Sequence, residues 1–136
     1  MSSEPTAQLV RREGFANEIA LRQHTVVADE PAEAGGTDLG PKPTELLAAA
    51  LAGCTAITIE LYAGRKEWDL GRVEVDVALG EASDGKGPRF EVSIRVPEPL
   101  DDDQRERIET IAGKCPVARL LQADGTEVVD SVSTSA

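Results

Sequence analysis

Two cysteines are the residues in this sequence whose types most directly suggest chemistry. Cys115 precedes Pro116, and proline suits the first position of a helix because its missing N–H would be unpaired there in any case. We therefore expect Cys115 at a helix N-terminus, where the helix dipole and the neighbouring Lys114 would stabilise a thiolate. A reactive thiol and a buried sulfur that acts as a poor helix cap fit this context about equally well.

Cys54 has different surroundings, because it falls on the apolar stripe of a predicted helix that Thr44 would cap. Apolar surroundings disfavour the thiolate, so core packing is the simpler role for Cys54 unless a charged partner reaches it. Glu45 lies about two and a half helical turns earlier and on the opposite face, so it cannot touch the sulfur directly. Glu45 then either complements the helix dipole or acts through an arginine that spans its carboxylate and the sulfur.

Other kinds of site find no support in the sequence. His24 is the only histidine, so neither a Ser/His/Asp nor a Cys/His arrangement can be assembled around it. Two distant cysteines and one histidine do not have zinc-ligand spacing, and the chain contains no CxxC, P-loop or GxGxxG motif. We therefore expect neither a metal nor a bound cofactor.

Length and charge limit the classes of function. A chain of 136 residues fits a single domain over residues 1–136. The formal net charge of -11 argues against nucleic acid and against anionic membrane surfaces as partners. The start, MSSEPTAQLV, lacks the basic and apolar regions of a secretory signal, so we expect a cytoplasmic protein. In that reducing compartment, two cysteines seldom form a structural disulfide.

The most apolar stretch, residues 46–63, approaches membrane-spanning length. It is rich in alanine and contains Glu60, so a buried core helix is the better interpretation. Aromatic residues make up only 3% of the chain, and the core must therefore use smaller side chains that bury less area each. Dimerisation would add burial that such a chain lacks.

The spacing of apolar residues predicts both strands and helices. The predicted strands are Gln8–Arg11, Phe15–Arg22, Thr25–Ala28, a hairpin formed by residues 73–79 and 90–96, and Thr126–Val132. The predicted helices are residues 44–64, 101–112 and 116–122. The segment before the first helix, DEPAEAGGTDLGPKP, predicts a long functional loop without regular structure, because glycine and proline are frequent in it.

The sequence resembles the OsmC/Ohr superfamily in three segments around these candidate residues. They are PTELL at residues 43–47, ALAGCT at residues 50–55 and KCPV at residues 114–117. The resemblance extends over most of the chain, from the GGTDLGPKP loop through the hairpin and the acidic helix to the last predicted strand. The OsmC-like branch of the superfamily is the nearest in pattern.

This resemblance implies an α+β fold with antiparallel sheets packed on a long central helix, in an intertwined homodimer with active sites at the subunit interface. It also implies a thiol-dependent peroxidase in which Cys54 attacks a hydroperoxide, becomes a sulfenic acid and condenses with Cys115. An external dithiol reductant would reopen the disulfide. Organic hydroperoxides are the favoured substrates, with hydrogen peroxide as a further one, and the role would be defence against oxidative or osmotic stress.

The resemblance further implies that Glu45 holds an arginine whose guanidinium stabilises the Cys54 thiolate. In the hydroperoxide-resistance branch this arginine lies well upstream. In the osmotically inducible branch it lies close before the glutamate, where this sequence has an acidic, glycine-rich loop without arginine. Among the upstream candidates Arg11, Arg12 and Arg22, we choose Arg22.

Two other functions stay open at this stage. The chain could form a weakly active or non-catalytic stress-related dimer that binds an apolar ligand, with redox-sensitive cysteines as spectators. It could also be a protein with two buried core thiols and no site at all.

Overall fold

A computed structural model describes residues 5–134 of the chain. The first four residues of the MSSEPTAQLV start and the last two residues of the chain lie outside this range. The chain divides into two compact units, with the boundary between Ala49 and Ala50 of the long helix, and each unit is described by itself below. The single domain over residues 1–136 stays a prediction.

The first unit contains a three-stranded antiparallel sheet in the order β1-β2-β3. Its strands are β1 (Gln8–Arg11), β2 (Asn17–Leu21) and β3 (His24–Ala28). The predicted hairpin of the first two strands is confirmed, with Leu9 opposite Ile19. The second strand is shorter than predicted at both ends, because residues 12–16 form a turn and Arg22 adopts a left-handed φ of 57° between β2 and β3.

Asp29 organises the long loop that follows β3. Its side chain is buried, and its two carboxylate oxygens accept four hydrogen bonds from the loop. The donors are the amides of Glu30 (2.7 Å), Thr37 (3.5 Å) and Leu39 (3.1 Å) and the hydroxyl of Thr37 (2.6 Å). A buried carboxylate is tolerated only when its lone pairs are paired in this way. The loop therefore has a defined conformation and includes one 3₁₀ turn, Ala32–Ala34, where no regular structure was predicted.

Gly36 is required by the close packing of the same loop. A Cβ atom at this position would collide with the backbone carbonyl of Glu30 and approach Asp29 Oδ1 to 2.8 Å. Backbone atoms cannot move aside as the end of a flexible side chain can, so only glycine fits here.

The long helix α1 (Pro43–Lys66) begins one residue before the predicted cap. Pro43 occupies the first helical position, and Thr44 lies inside the helix, so the predicted capping role of Thr44 is wrong. The Glu45 carboxylate instead reaches back and accepts the backbone N–H of Lys42 at 3.0 Å. This bond satisfies an amide just before the helix, as the acid of a capping box does.

The C-terminal end of α1 lies beyond Gly64, where the helix was predicted to stop. Glu67 takes the left-handed conformation, with a φ of 59°, that a glycine often supplies. The N–H of Trp68 then donates to the carbonyl of Ala63 at 2.9 Å, and the N–H of Glu67 donates to that of Gly64 at 3.2 Å. The Trp68 ring packs edge-to-face on Tyr62, 5.6 Å between ring centroids, and completes this Schellman ending.

The second unit combines the rest of α1 with a hairpin and two helices. They are β4 (Glu74–Glu81), β5 (Pro88–Arg95), α2 (Asp102–Ala112) and α3 (Pro116–Gln122). The predicted antiparallel hairpin is confirmed, and so are both short helices. Asp101 caps α2 through a capping box with Gln104, which explains why the acidic run starts the helix.

Two apolar clusters hold these elements on α1. One buries Ile59 and Ala63 of α1 with Leu70 and Ile108. Apolar residues beside the start of β4 and the end of β5 pack around it. The other buries Leu51 of α1 with Cys115 and Ala118 of the α3 start. The second cluster brings the two cysteines into one region, as described below.

Much of α1 is exposed in the single chain. By length and composition it could cross a membrane, a test that core helices of soluble proteins also pass, and only 22% of its most apolar window is buried. Ile57 and Leu61 are 63% and 60% exposed. In the single chain, only one face of α1 is buried. The expectation of a buried core helix is therefore met on that face alone.

The predicted last strand, Thr126–Val132, is wrong for the single chain. Residues 126–132 have no regular structure, and Val128, Val129 and Val132 are 83%, 85% and 92% exposed. A strand is defined by hydrogen bonds to a neighbouring edge, and within residues 5–134 no strand pairs with this segment.

The buried carboxylate of Asp29 makes the first unit sensitive to acid. The Thr37 hydroxyl bond, followed by the backbone amides, lowers the pKa of Asp29 from 3.8 to about 2, although burial opposes the shift. Because the pKa is lower in the folded state, the contribution to stability is complete above roughly pH 4 and is lost as pH falls toward 2. We expect Asp29→Asn to reduce the free energy of unfolding at pH 7 and to flatten its decline below pH 4.

Denaturant unfolding followed at a series of pH values from 7 to 2 measures this difference. The matched control is Glu33→Gln, which removes an exposed carboxylate of the same loop. If Asp29→Asn and Glu33→Gln gave the same pH dependence as the unmodified chain, Asp29 would not anchor the loop.

Candidate functional site

The sulfur of Cys54 lies at the start of helix α3. Cys54 is half-buried on α1, and its Sγ atom accepts a hydrogen bond from the backbone N–H of Val117 at 3.5 Å. This amide is one of those at a helix N-terminus that have no partner within their own helix. A backbone donor thus reaches the cysteine that the apolar stripe alone would have left without a polar partner.

Cys115 is the N-cap residue of the same helix, as predicted. Its backbone is extended, with φ -64° and ψ 147°, and its Sγ accepts the N–H of Ala118 at 3.4 Å. The side chain is completely buried, at 0% exposure. Cys115 is therefore both a cap and a buried sulfur, and its sulfur faces the amides of the helix start.

Two successive backbone amides of α3 therefore donate hydrogen bonds to the two sulfur atoms. Val117 donates to Cys54 and Ala118 donates to Cys115, and Cys54 packs against the cluster that contains Cys115. Both cysteines are free thiols. This arrangement can support thiolate chemistry at either sulfur, and it brings together the two cysteines that the sequence separates.

Thr55 adds a hydroxyl to this region that the sequence did not single out. It follows Cys54 on α1 and is 1% exposed, and its Oγ1 lies 4.0 Å from the Sγ of Cys115. The distance and geometry fit a hydrogen bond that involves sulfur. Threonine at this point in an apolar helix looks like a core residue in the sequence, so only the fold reveals its partner.

A mainly apolar cavity of about 530 Å³ adjoins the cysteine region in the second unit. Thr55 and Ala118 form part of its wall. Its apolar walls come mainly from α1, the hairpin and α3, through Leu51, Pro88, Phe90, Val92, Ile94 and Leu121. This volume lies in the range that small-molecule sites occupy.

Glu45 and Arg22, the other two predicted site residues, lie in the first unit. Glu45 is exposed, and its Oε1 accepts the Lys42 amide. Arg22 is exposed in the turn between β2 and β3. Within the described residues no ion pair joins Arg22 to Glu45. Their predicted roles at Cys54 stay predictions.

A metal site has no candidate ligand set in residues 5–134, because no group of three or more His, Cys, Asp or Glu side chains is close enough to hold an ion.

The buried Asp29 was absent from the candidate residues that the sequence suggested. A single acid just before a loop of glycines and prolines gives no signal of burial, and only the four loop donors reveal it.

Similar proteins of known structure show the fold of this chain, and a family match shows its family. A candidate osmotic stress induced and detoxification response protein from Psychrobacter arcticus 273-4 is 24% identical, with a TM-score of 0.77 over 91% of this chain and 93% of that chain. An OsmC like protein from Mycoplasma pneumoniae is 21% identical, with a TM-score of 0.73 over 91% of both chains. The organic hydroperoxide resistance protein OhrB of Bacillus subtilis is 26% identical, with a TM-score of 0.57 over 88% and 92%.

No curated protein matches the sequence. The family described as OsmC-like protein matches residues 35–129, a range that includes Glu45, Cys54 and Cys115. The α+β fold with antiparallel sheets and a long helix agrees with these solved structures. The chain therefore belongs to the OsmC-like protein family.

Proposed function

We propose that this protein is a thiol-dependent peroxidase that reduces organic hydroperoxides, with Cys54 as the attacking thiolate and Cys115 as the resolving thiol. The observation that carries the proposal is the position of both sulfur atoms at the start of α3, where Val117 and Ala118 donate to them. Solved structures of similar fold include organic hydroperoxide resistance proteins, which supports the choice of substrate class.

The first step is attack of the Cys54 thiolate on the outer oxygen of the hydroperoxide. The O–O bond breaks, the alkoxide leaves and is protonated to an alcohol, and Cys54 becomes a sulfenic acid. The thiolate of Cys115 then attacks the Cys54 sulfur, so an S–S bond forms and hydroxide leaves as water after protonation. An external dithiol reduces this disulfide, which requires a reducing compartment such as the cytoplasm.

The apolar cavity beside Thr55 and Ala118 supports an organic substrate over hydrogen peroxide. Apolar walls favour an alkyl group by burying its surface, whereas hydrogen peroxide offers no apolar surface to bury. A cavity of this kind, in the same unit as both sulfurs, supports the proposal that the organic part of a substrate binds there.

A homodimer is the second part of the proposal. Exposed apolar residues of α1, Ile57 and Leu61, and the exposed valines of segment 126–132 are surfaces that a second copy would cover. A partner strand edge would also supply the hydrogen bonds that residues 126–132 lack in the single chain. Glu45 and Arg22 are retained as the pair that we expect to stabilise the Cys54 thiolate in the assembled protein.

A second candidate function is a weakly active or non-catalytic dimer that binds an apolar ligand. The cavity of about 530 Å³ is the observation that favours it, because a cavity of this kind binds ligands without thiol chemistry. The two candidates differ in whether the cysteines are needed.

The decisive prediction for the peroxidase concerns the two cysteines. With an organic hydroperoxide and a dithiol reductant, Cys54→Ser should lower peroxide consumption to the uncatalysed background, because no other sulfur takes the attacking position. Cys115→Ser should still consume about one equivalent without reductant and should accumulate a sulfenic acid. Peroxide assay and mass spectrometry after trapping with dimedone measure these outcomes.

A retained rate in Cys54→Ser would contradict the peroxidase mechanism. If several peroxides and reductants gave no turnover while the double Cys→Ser protein kept an apolar fluorescent ligand, the binding dimer would be the better function.

The arginine assignment predicts a graded effect on the first chemical step. Arg22→Ala should slow peroxide consumption at saturating reductant by about tenfold or more, because a charge-assisted bond to a thiolate is lost. Arg22→Lys should retain part of the rate, since it keeps the charge but not the planar fork. The matched control is Arg12→Ala, whose guanidinium pairs with Glu18 at 3.6 Å; equal rates in all variants would exclude Arg22.

If the protein is a homodimer, a charged substitution on the exposed face of α1 should lower its mass in solution toward that of one chain. Sedimentation equilibrium should give twice the chain mass for the unmodified protein and a shift toward the monomer for Ile57→Asp, because a buried unpaired charge opposes association. Ser83→Asp adds the same charge to the exposed hairpin turn and should leave the dimer intact. A monomeric unmodified protein would contradict this part of the proposal.

A further inference from the structure

We propose that Thr55 is a positioning residue for Cys115 in the thiol–disulfide steps of the cycle. This inference rests on the proposed function and adds a residue to it. The Thr55 hydroxyl is buried, and the Sγ of Cys115 at 4.0 Å is the polar partner that the described part of the chain gives it. A buried hydroxyl without a partner is costly, so the Cys115 sulfur and the Thr55 hydroxyl stabilise each other.

The direction of the hydrogen bond follows from the charge on sulfur. A thiolate has no proton and can only accept, so Thr55 donates to Cys115 whenever Cys115 is ionised. The amide of Ala118 donates to the same sulfur at 3.4 Å. An ionised Cys115 is therefore held between one side-chain donor from α1 and one backbone donor from α3. Within residues 5–134, the donor to Cys54 is the backbone amide of Val117.

Burial makes Cys115 the sulfur that leaves when the disulfide is reduced. Cys115 is 0% exposed and association can only cover it further, whereas Cys54 is half-buried. An incoming thiolate of the dithiol therefore attacks the Cys54 sulfur. The bond between Cys54 and Cys115 breaks, a mixed disulfide forms on Cys54, and Cys115 leaves with the electron pair as a thiolate. The second thiol of the reductant then releases Cys54 and takes up the disulfide.

Thr55 is thus expected to act on both reactions of Cys115. A hydrogen bond that is stronger to the thiolate than to the disulfide sulfur speeds departure of the leaving group. In the forward direction the same bond holds the Cys115 thiolate in place for attack on the Cys54 sulfenic acid. The attack of Cys54 on the hydroperoxide does not involve Cys115 and should not depend on Thr55.

The test compares Thr55→Val, which keeps the shape but lacks the hydroxyl, with Thr55→Ser, which keeps the hydroxyl. The full-length protein is oxidised with diamide to form the disulfide, and its reduction by dithiothreitol is followed by free-thiol release. We expect Thr55→Val to slow this reduction by about tenfold and Thr55→Ser to restore most of the rate. The matched control is Thr58→Val, the same substitution one turn along α1, which should react at the unmodified rate.

A second measurement follows the lifetime of the Cys54 sulfenic acid after one equivalent of organic hydroperoxide, by dimedone trapping at increasing times. Thr55→Val should lengthen this lifetime without changing the rate of peroxide loss. If Thr55→Val does not fold, Thr55→Ala replaces it in both assays with the same expected results.

Equal rates of disulfide reduction in Thr55→Val and the unmodified protein would overturn the inference, and so would a failure of diamide to join Cys54 to Cys115. A defect that Thr55→Ser does not restore would also overturn it, since it would reflect packing and not the hydroxyl. An absence of peroxide consumption in the unmodified protein would instead contradict the proposed peroxidase, because the diamide assay needs no peroxide.

Discussion

The start of helix α3 is the feature on which the arrangement of the cysteines depends. A helix leaves its first amides without internal partners, and here the amides of Val117 and Ala118 find sulfur atoms as acceptors. Cys54 comes from the middle of a different helix, so these bonds also join α1 to α3. The apolar cluster of Leu51, Cys115 and Ala118 holds the two helices at the separation that the bonds require.

Three polar groups contact the two sulfur atoms in the described part of the chain: the Thr55 hydroxyl and the amides of Val117 and Ala118. The apolar surroundings of the two sulfurs strengthen any hydrogen bond made there and penalise any donor or acceptor without a partner. The α3 amides donate to the two sulfur atoms, and the Thr55 hydroxyl lies within hydrogen-bond distance of the Cys115 sulfur. Cys54, which the apolar stripe of its own helix leaves without a polar partner, receives one there from α3.

The same physical rule accounts for the loop of the first unit. Asp29 is a buried charge, and its cost is met by three amides and a hydroxyl that fix the loop around it. Gly36 allows the backbone to approach closely enough for these bonds to form. The loop that precedes Glu45 is thus ordered around one buried carboxylate, although its composition resembles an irregular linker.

Sequence alone determined the elements whose causes are local. Period-two alternation identified the hairpin of β4 and β5, the acidic run with Asp101 identified α2, and Pro116 after Cys115 identified α3. Local signals failed where the cause was distant. Residues 126–132 have the composition of a strand but lack an edge to pair with, and the end of α1 was set by the left-handed Glu67 and the packing of Trp68. The two cysteines were visible as candidates, but only tertiary structure supplied the Val117 donor of Cys54, the Thr55 hydroxyl and the complete burial of Cys115. Contacts between residues far apart in the chain leave no periodicity in the sequence, because each depends on how the helices pack.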